Sequence, residues 1–221
     1  MVDDLEPDFE IDVEIDAGVD LLAWETADDT QKAAWKGFFM QGGEQCDMDL
    51  EDMQIGLAGV ISGAGSDACG GFTIEGQLNE DGSFNFDKKY DEYTVSYKGN
   101  MEGTKLAGQW SLPDQPEDAF EINLVSNNWN GFFVQNSEKN GMALNMGVSS
   151  GSIFGTGTDE IGAFILRGKS DGGDFNFVKK YLGQHQVLYF GKVEGDEGSR
   201  TVRGKWTIPD VCEDKFALQE S

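Results

Sequence analysis

The chain has 221 residues, 38% hydrophobic and 11% aromatic, enough to bury one sizeable core or two small ones. Its 30 glycines and four prolines, scattered through aromatic and β-branched runs, exclude a low-complexity chain and point to strands and tight turns. A formal net charge of −25 repels nucleic-acid phosphates and anionic membrane surfaces, so neither is expected as a partner, while cations and basic protein surfaces are favoured.

The charge is uneven along the chain. Residues 1–34 hold 12 acidic and 1 basic side chains, residues 35–127 hold 17 and 5, and residues 128–221 hold 12 and 10. The opening "MVDDLEPDFEIDVEIDAGVD" lacks the basic region and apolar run of a secretory signal, and it is too acidic for a mitochondrial transit peptide. No run approaches the roughly 20 apolar residues of a membrane helix, so a soluble protein of the cytoplasm or another intracellular compartment is expected. Residues 1–34 read as an acidic, mostly flexible leader, although "FEIDVEID" alternates Phe9, Ile11, Val13 and Ile15 as a strand would. Within the leader, Leu21, Leu22 and Trp24 form an apolar cluster among acids and read as a docking segment toward a basic protein surface. Helix is expected, if anywhere, only in the weak pattern "VDLLAWETADDTQKAAW".

From Trp35 onward the chain is duplicated. Trp35-Lys-Gly-Phe-Phe39 matches Trp129-Asn-Gly-Phe-Phe133, "GAGSDACGGFTIEG" matches "GTGTDEIGAFILRG", "SFNFDKKY" matches "DFNFVKKY", and "LAGQWSLP" matches "VRGKWTIP". The unit is about 92 residues, copied over 35–127 and 128–221. In the first copy, alternating runs at Trp35–Gln41, Asp47–Ile55, Val60–Asp67, Gly71–Leu78, Ser83–Tyr90, Tyr93–Met101, Lys105–Leu112 and Ala119–Val125 are separated by Gly, Asn or Asp turns. Eight short strands so joined predict an all-β protein of two antiparallel up-and-down meanders, each a small barrel, with one larger pseudo-twofold barrel as the alternative. The link "NLVSNNWNG" is too short for an independent tether, so the copies should touch.

Taking every second residue puts bulky side chains and a glycine on one face of nearly every strand, as a small closed sheet needs to fill a tapering interior. On that face, Lys88 and Lys179 stand in line with Phe84, Phe86 and Tyr90, and with Phe175, Phe177 and Tyr181. The favoured expectation is that each lysine lies at a strand end with its amine in water. The alternatives are a duplicated buried pair with Asp67 and Asp159, which have inward parity, and a ligand-binding charge beside Tyr90, Tyr181, Trp110 and Trp206.

Other motifs read as structural. Cys46, Cys69 and Cys212 fall at non-matching positions of the two copies, against a disulfide framework or a duplicated metal site. "GAGSD" and "GTGTD" suit a glycine-rich strand and turn better than a calcium loop, and no metal or other cofactor is expected. His185 is the sole histidine and corresponds to Tyr93 in the other copy, so a histidine-based triad could exist at most once. Trp110 and Trp206 read as core plugs that could also stack a planar ligand or a sugar. Short strands, glycines and inward tryptophans resemble the avidin and lipocalin group in pattern only. That resemblance implies a meander barrel and carries no binding residue across.

The leading functional expectation is therefore a non-enzymatic binding or scaffold protein, with duplicated barrels and the leader as a docking arm. The alternative is a carrier of a small apolar or anionic ligand, bound at Lys88, Lys179, Tyr90, Tyr181, Trp110 and Trp206 in an aromatic-lined barrel. The sequence gives no oligomeric state.

Overall fold

In the computed structural model, the described residues are 34–51, 53–149 and 151–221. The docking cluster Leu21, Leu22 and Trp24, the "FEIDVEID" run and nearly all of the possible helix lie outside them. Ala34 and Trp35, at the end of that helix pattern, instead lead into a strand.

Two closed antiparallel barrels of eight strands follow one another. The first is built from β1 (Trp35–Gln41), β2 (Glu44–Leu50), β4 (Val60–Asp67), β5 (Gly70–Leu78), β6 (Ser83–Lys89), β7 (Thr94–Glu102), β8 (Lys105–Ser111) and β9 (Asp118–Leu124), with the two-residue β3 (Gln54–Ile55) laid against β4. The second comprises β10 (Asn127–Gln135), β11 (Glu138–Ser149), β12 (Ser152–Thr158), β13 (Ala163–Asp171), β14 (Asp174–Tyr181), β15 (Gln186–Glu194), β16 (Thr201–Ile208) and β17 (Cys212–Glu220). Within each barrel strands pair with their sequence neighbours, except that β2 passes over β3 to pair with β4, and β1–β9 and β10–β17 close the rings. The fold expected from the repeat is present as two barrels, not one pseudo-twofold barrel.

Closure at this radius depends on glycine. Gly99 faces Gly108 across β7–β8, and Gly191 faces Gly204 at the same place in the second barrel. A Cβ on Gly99 would stand 2.0 Å from the Ala107 carbonyl oxygen, and one on Gly204 2.0 Å from that of Phe190. The paired glycines let the sheet bend where side chains would hold it flat. Inside the bend lie matching aromatic stacks: Phe86 on Tyr97 at 4.7 Å with Phe120 edge-on, and Phe177 on Tyr189 at 4.4 Å with Phe216 edge-on. The middle of each barrel is filled by these rings.

Outside, the barrels differ. β6 and β7 of the first largely alternate buried and more exposed residues, whereas β12, β13 and β15 of the second each carry an unbroken buried run that takes in both faces. The outward residues Phe154, Ile165, Val178, Leu188 and Phe190 join one apolar cluster with Met53, Ile55, Leu57 and Leu78 of the first barrel. Arg167 donates from this contact to the Ile55 carbonyl, and Thr156 Oγ1 donates to the Gly103 carbonyl at 3.3 Å. Burial lowers the Arg167 guanidinium to about 10, so it stays a cation at neutral pH. The first barrel thus stands with one end against the side of the second. Its other end and the matching end of the second barrel, here called the mouths, are formed by the β1–β2, β4–β5, β6–β7 and β8–β9 turns and their counterparts.

Candidate functional site

A charged cluster sits below each mouth. Asp67 ends β4 just before a tight turn and accepts the Cys69 amide at 2.8 Å, which fixes its carboxylate toward the barrel interior. There it binds the ammonium of Lys88 and accepts the Tyr90 hydroxyl at 2.5 Å. In the second barrel Asp159 accepts the Ile161 amide at 2.9 Å, Lys179 at 2.7 Å and the Tyr181 hydroxyl at 2.7 Å. The strand-end position favoured for Lys88 is not what the fold gives: Lys88 is 1% exposed and Lys179 7%. Lysine and tyrosine lie two apart, Lys179 and Tyr181 within β14 and Lys88 in β6 with Tyr90 just past its end, and the register Ile74↔Lys88 brings the lysine beside β5.

Aromatic rings surround the ammonium groups. Lys88 Nζ lies 4.0 Å from the Phe72 ring centre, 5.0 Å from Phe39, 5.2 Å from Tyr90 and 6.0 Å from Tyr97. Lys179 Nζ lies 4.0 Å from Phe164 and 4.7 Å from Tyr181. These ring faces replace part of the lysine's lost hydration. Burial alone would raise the Asp67 and Asp159 carboxyls, but hydrogen bonds from lysine, tyrosine and a backbone amide outweigh it and leave both below the ordinary value. Burial lowers both lysines and, with the carboxylate beside them, raises Tyr90 and Tyr181. With the carboxylates turned onto these partners, "GAGSD" and "GTGTD" act as strand-and-turn anchors.

Trp110 and Trp206 are buried near the same mouths, and their indole N–H groups donate to the Met40 carbonyl at 2.8 Å and the Val134 carbonyl at 2.9 Å. They brace the β1–β2 and β10–β11 hairpins as plugs, with one side toward a cleft. The exposed His185 lies on the β14–β15 turn, 5.1 Å from Tyr181 between ring centres. Tyr93, its counterpart, stacks on Tyr90 at 4.7 Å.

The clefts at the two mouths are unequal. That of the first barrel holds about 250 Å³ between Phe39, Tyr90, Tyr93, Tyr97, Trp110 and Leu112. That of the second holds about 610 Å³, and Asp159 and Lys179 lie in its wall. Accordingly the Asp67 side chain is 0% exposed and that of Asp159 34%. The cause is a seam. In the first barrel β2 pairs with β4 beside the mouth, Met48 opposite Asp67 and Asp49 opposite Ser66. In the second, β11 and β12 pair only toward the other end, from Met146–Gly155 to Ser149–Ser152. The same register would set Met142 opposite Asp159, but the ladder does not reach there, and Asn140–Ala143 with Asp159–Ile161 become the walls of a slot.

These slot residues were not singled out from the sequence, because a missing ladder leaves no pattern in side chains. The fold and site define a tandem β-barrel protein with a duplicated Asp–Lys–Tyr cluster under each mouth. No protein-family model matches the chain, and no curated protein matches it in sequence. Among solved structures it is similar to the crystal structure of an agglutinin from Burkholderia oklahomensis, at 11% identity over 91% of this chain and 99% of that one, with a TM-score of 0.27. A likeness at that level assigns no residue and no activity here. No helix among the described residues is long and apolar enough to cross a membrane.

Proposed function

We propose that this is a non-catalytic binding protein whose second barrel takes one small ligand at its mouth while the first serves as its structural base. The observation that carries this is the 610 Å³ cleft lined by Phe133, Met142, Tyr189, Trp206 and Ile208, with the Asp159–Lys179–Tyr181 cluster in its wall. It falls in the volume range of small-molecule sites, and its mixture of apolar walls with a few convergent polar groups is the composition such sites use. The 250 Å³ cleft of the first barrel is below that range.

The cluster favours a neutral ligand over an anion. Asp159 neutralises Lys179, so an incoming carboxylate meets no net positive charge. A carbonyl or hydroxyl can still accept a second N–H of the ammonium. Acid–base catalysis would need a group poised near the working pH. Asp159 is instead held low, because hydrogen bonds from Lys179, Tyr181 and the Ile161 amide outweigh its burial, and Tyr181 is held high by burial and by the carboxylate beside it.

The test is titration with N-phenyl-1-naphthylamine, a neutral planar fluorophore. One site per chain is expected, and Ile208→Trp, which fills the cleft, should abolish it. No saturable binding, or two equal sites per chain, would overturn the reading. A second reading rests on the 12 acids of residues 1–34. In it the leader, through Leu21, Leu22 and Trp24, docks on a basic protein surface, and the barrels act as a scaffold. Capture of that partner should then weaken steeply with salt and be lost on replacing Trp24 by Ser.

A further inference from the structure

We infer that the ligand of the second barrel is an aldehyde, bound at Lys179 as a reversible protonated imine with Asp159 as its counter-ion. This deepens the ligand reading and rests on it. Such a bond needs an amine that a carbonyl carbon can reach, a fixed anion beside the nitrogen, and a cleft for the rest of the ligand. The second mouth brings the three together. Lys179 lies in the wall of the 610 Å³ cleft with Phe133, Tyr189 and Trp206, whose rings suit an aromatic or unsaturated aldehyde. Its Nζ stands 2.7 Å from Asp159 Oδ2, which also accepts the Tyr181 hydroxyl at 2.7 Å, while Oδ1 accepts the Ile161 amide at 2.9 Å. The anion is therefore fixed at both oxygens, and its side chain is 34% exposed where the cleft reaches the pair.

The step is a condensation and needs no oxidant or reductant. The ammonium sheds one proton to water, the amine nitrogen attacks the carbonyl carbon, and a second proton passes from nitrogen to the oxygen. The shed proton then returns to that hydroxyl, which leaves as water while the C=N bond forms. Two of the three ammonium protons thus depart on oxygen, and the third stays on an iminium nitrogen that donates it to Asp159. The charge beside the carboxylate is the same before and after, so the ion pair survives the reaction. Ring faces of Phe164 and Tyr181, 4.0 and 4.7 Å from Nζ, support either cation. Burial lowers the lysine and so enlarges the free-amine fraction that attack requires. The first barrel holds a matched control. Lys88 bonds to Asp67 and Tyr90 in the same way, yet it is 1% exposed and its ammonium is surrounded by the rings of Phe39, Phe72, Tyr90 and Tyr97.

Reductive trapping on the full-length chain decides the matter. Protein is mixed with less than one equivalent of 2-naphthaldehyde, treated with sodium cyanoborohydride to fix any imine as a secondary amine, and mapped by peptide mass spectrometry. Lys179 should carry roughly 10-fold more naphthylmethyl adduct than Lys192, which is also paired with an aspartate, Asp174, but on the exposed outer surface. Lys88 should carry none, and Ile208→Trp should lower the Lys179 adduct to the Lys192 level. Equal adduct on Lys179 and Lys192, or on Lys179 and Lys88, would overturn the inference. N-phenyl-1-naphthylamine has no carbonyl and so reports on the cleft alone. One naphthylamine site without adduct at Lys179 overturns the imine and leaves the ligand reading standing, whereas no saturable naphthylamine binding removes both.

Discussion

The two barrels share a register, an aromatic stack and a charged cluster, yet one is sealed and polar outside while the other is open at its mouth and apolar outside. Their outward positions make the contrast plain. Where the first has Ser62, Thr73, Asp87, Ser96 and Lys98, the second has Phe154, Ile165, Val178, Leu188 and Phe190. Duplication therefore preserved the interior, which closure dictates, and left the outside free to become a contact face on one copy only. The mouths diverged similarly, by moving the paired stretch of one seam from one end of the barrel to the other.

The largest test of this contrast is the buried cluster. Lys88→Met strands a fully buried Asp67 carboxylate and should cost about 3 to 5 kcal/mol, with Asp67→Leu/Lys88→Met recovering more than half. Lys179→Met should cost only about 1 kcal/mol, because water reaches Asp159. Denaturant melts of all three compare the barrels directly, and equal losses for the two lysines would erase the distinction drawn between the mouths. Next comes the contact face. Val178→Asp restores the residue type of the first barrel and should cost about 3 kcal/mol by burying an unpaired charge. Cleavage in the 125–126 link by a protease should rise as the barrels separate.

A third difference lies opposite the mouths. The second barrel has Glu220 where the first has Leu124, and Glu220 accepts both Arg200 Nε and Nη2 at 2.6 Å, the Gly198 amide at 2.9 Å and Asn127. Burial alone would raise this carboxyl, but these bonds bring it from 4.5 to about 2. Its folded value is depressed, so its contribution is fully present above pH 4.5 and is lost as pH falls from there toward 2. Glu220→Gln should be about 2 kcal/mol less stable at pH 7 and nearly equal to the parent at pH 2.5, as thermal melts across that range would register. The smallest effect is at the rim. His185→Tyr copies the Tyr93 cover of the first barrel, and should change stability by less than about 0.5 kcal/mol while weakening naphthylamine binding several-fold.

The barrels were legible in the sequence because alternation and glycine placement are what closure requires. Seven of the eight expected first-copy strands lie within a few residues of where they form. The eighth, expected as one run over Asp47–Ile55, divides into β2 and β3. Leu50 matches Leu144 by register, and Ile55 matches Val148, so the first copy carries one extra residue there and a bulge replaces the continuous β11. For Lys88, parity gave the inward direction but not the depth, since depth depends on which neighbours lean over it. The contact face had a signal, the unbroken "AFIL" and "VLYF" in place of "GFTI" and "VSYK", whose apolar residues at both parities mark strands covered on both sides. The slot had none, because the point at which the β11–β12 ladder stops is invisible to residue type.

The doubly covered strands also set an order of events during synthesis. The first barrel closes through β1–β9 using residues up to Leu124, all made before the second begins. Its outer surface is polar enough to stand alone in water, apart from the end formed by Met53, Ile55 and Leu57. Domains fold as units as they leave the ribosome, N-terminal first. When Phe154, Ile165, Val178, Leu188 and Phe190 emerge, the surface that covers them is already in place a few residues upstream. Reversing the order of the copies in the gene would send those five side chains into solvent with no cover yet made, and the product would aggregate for reasons that no inspection of the finished fold would show.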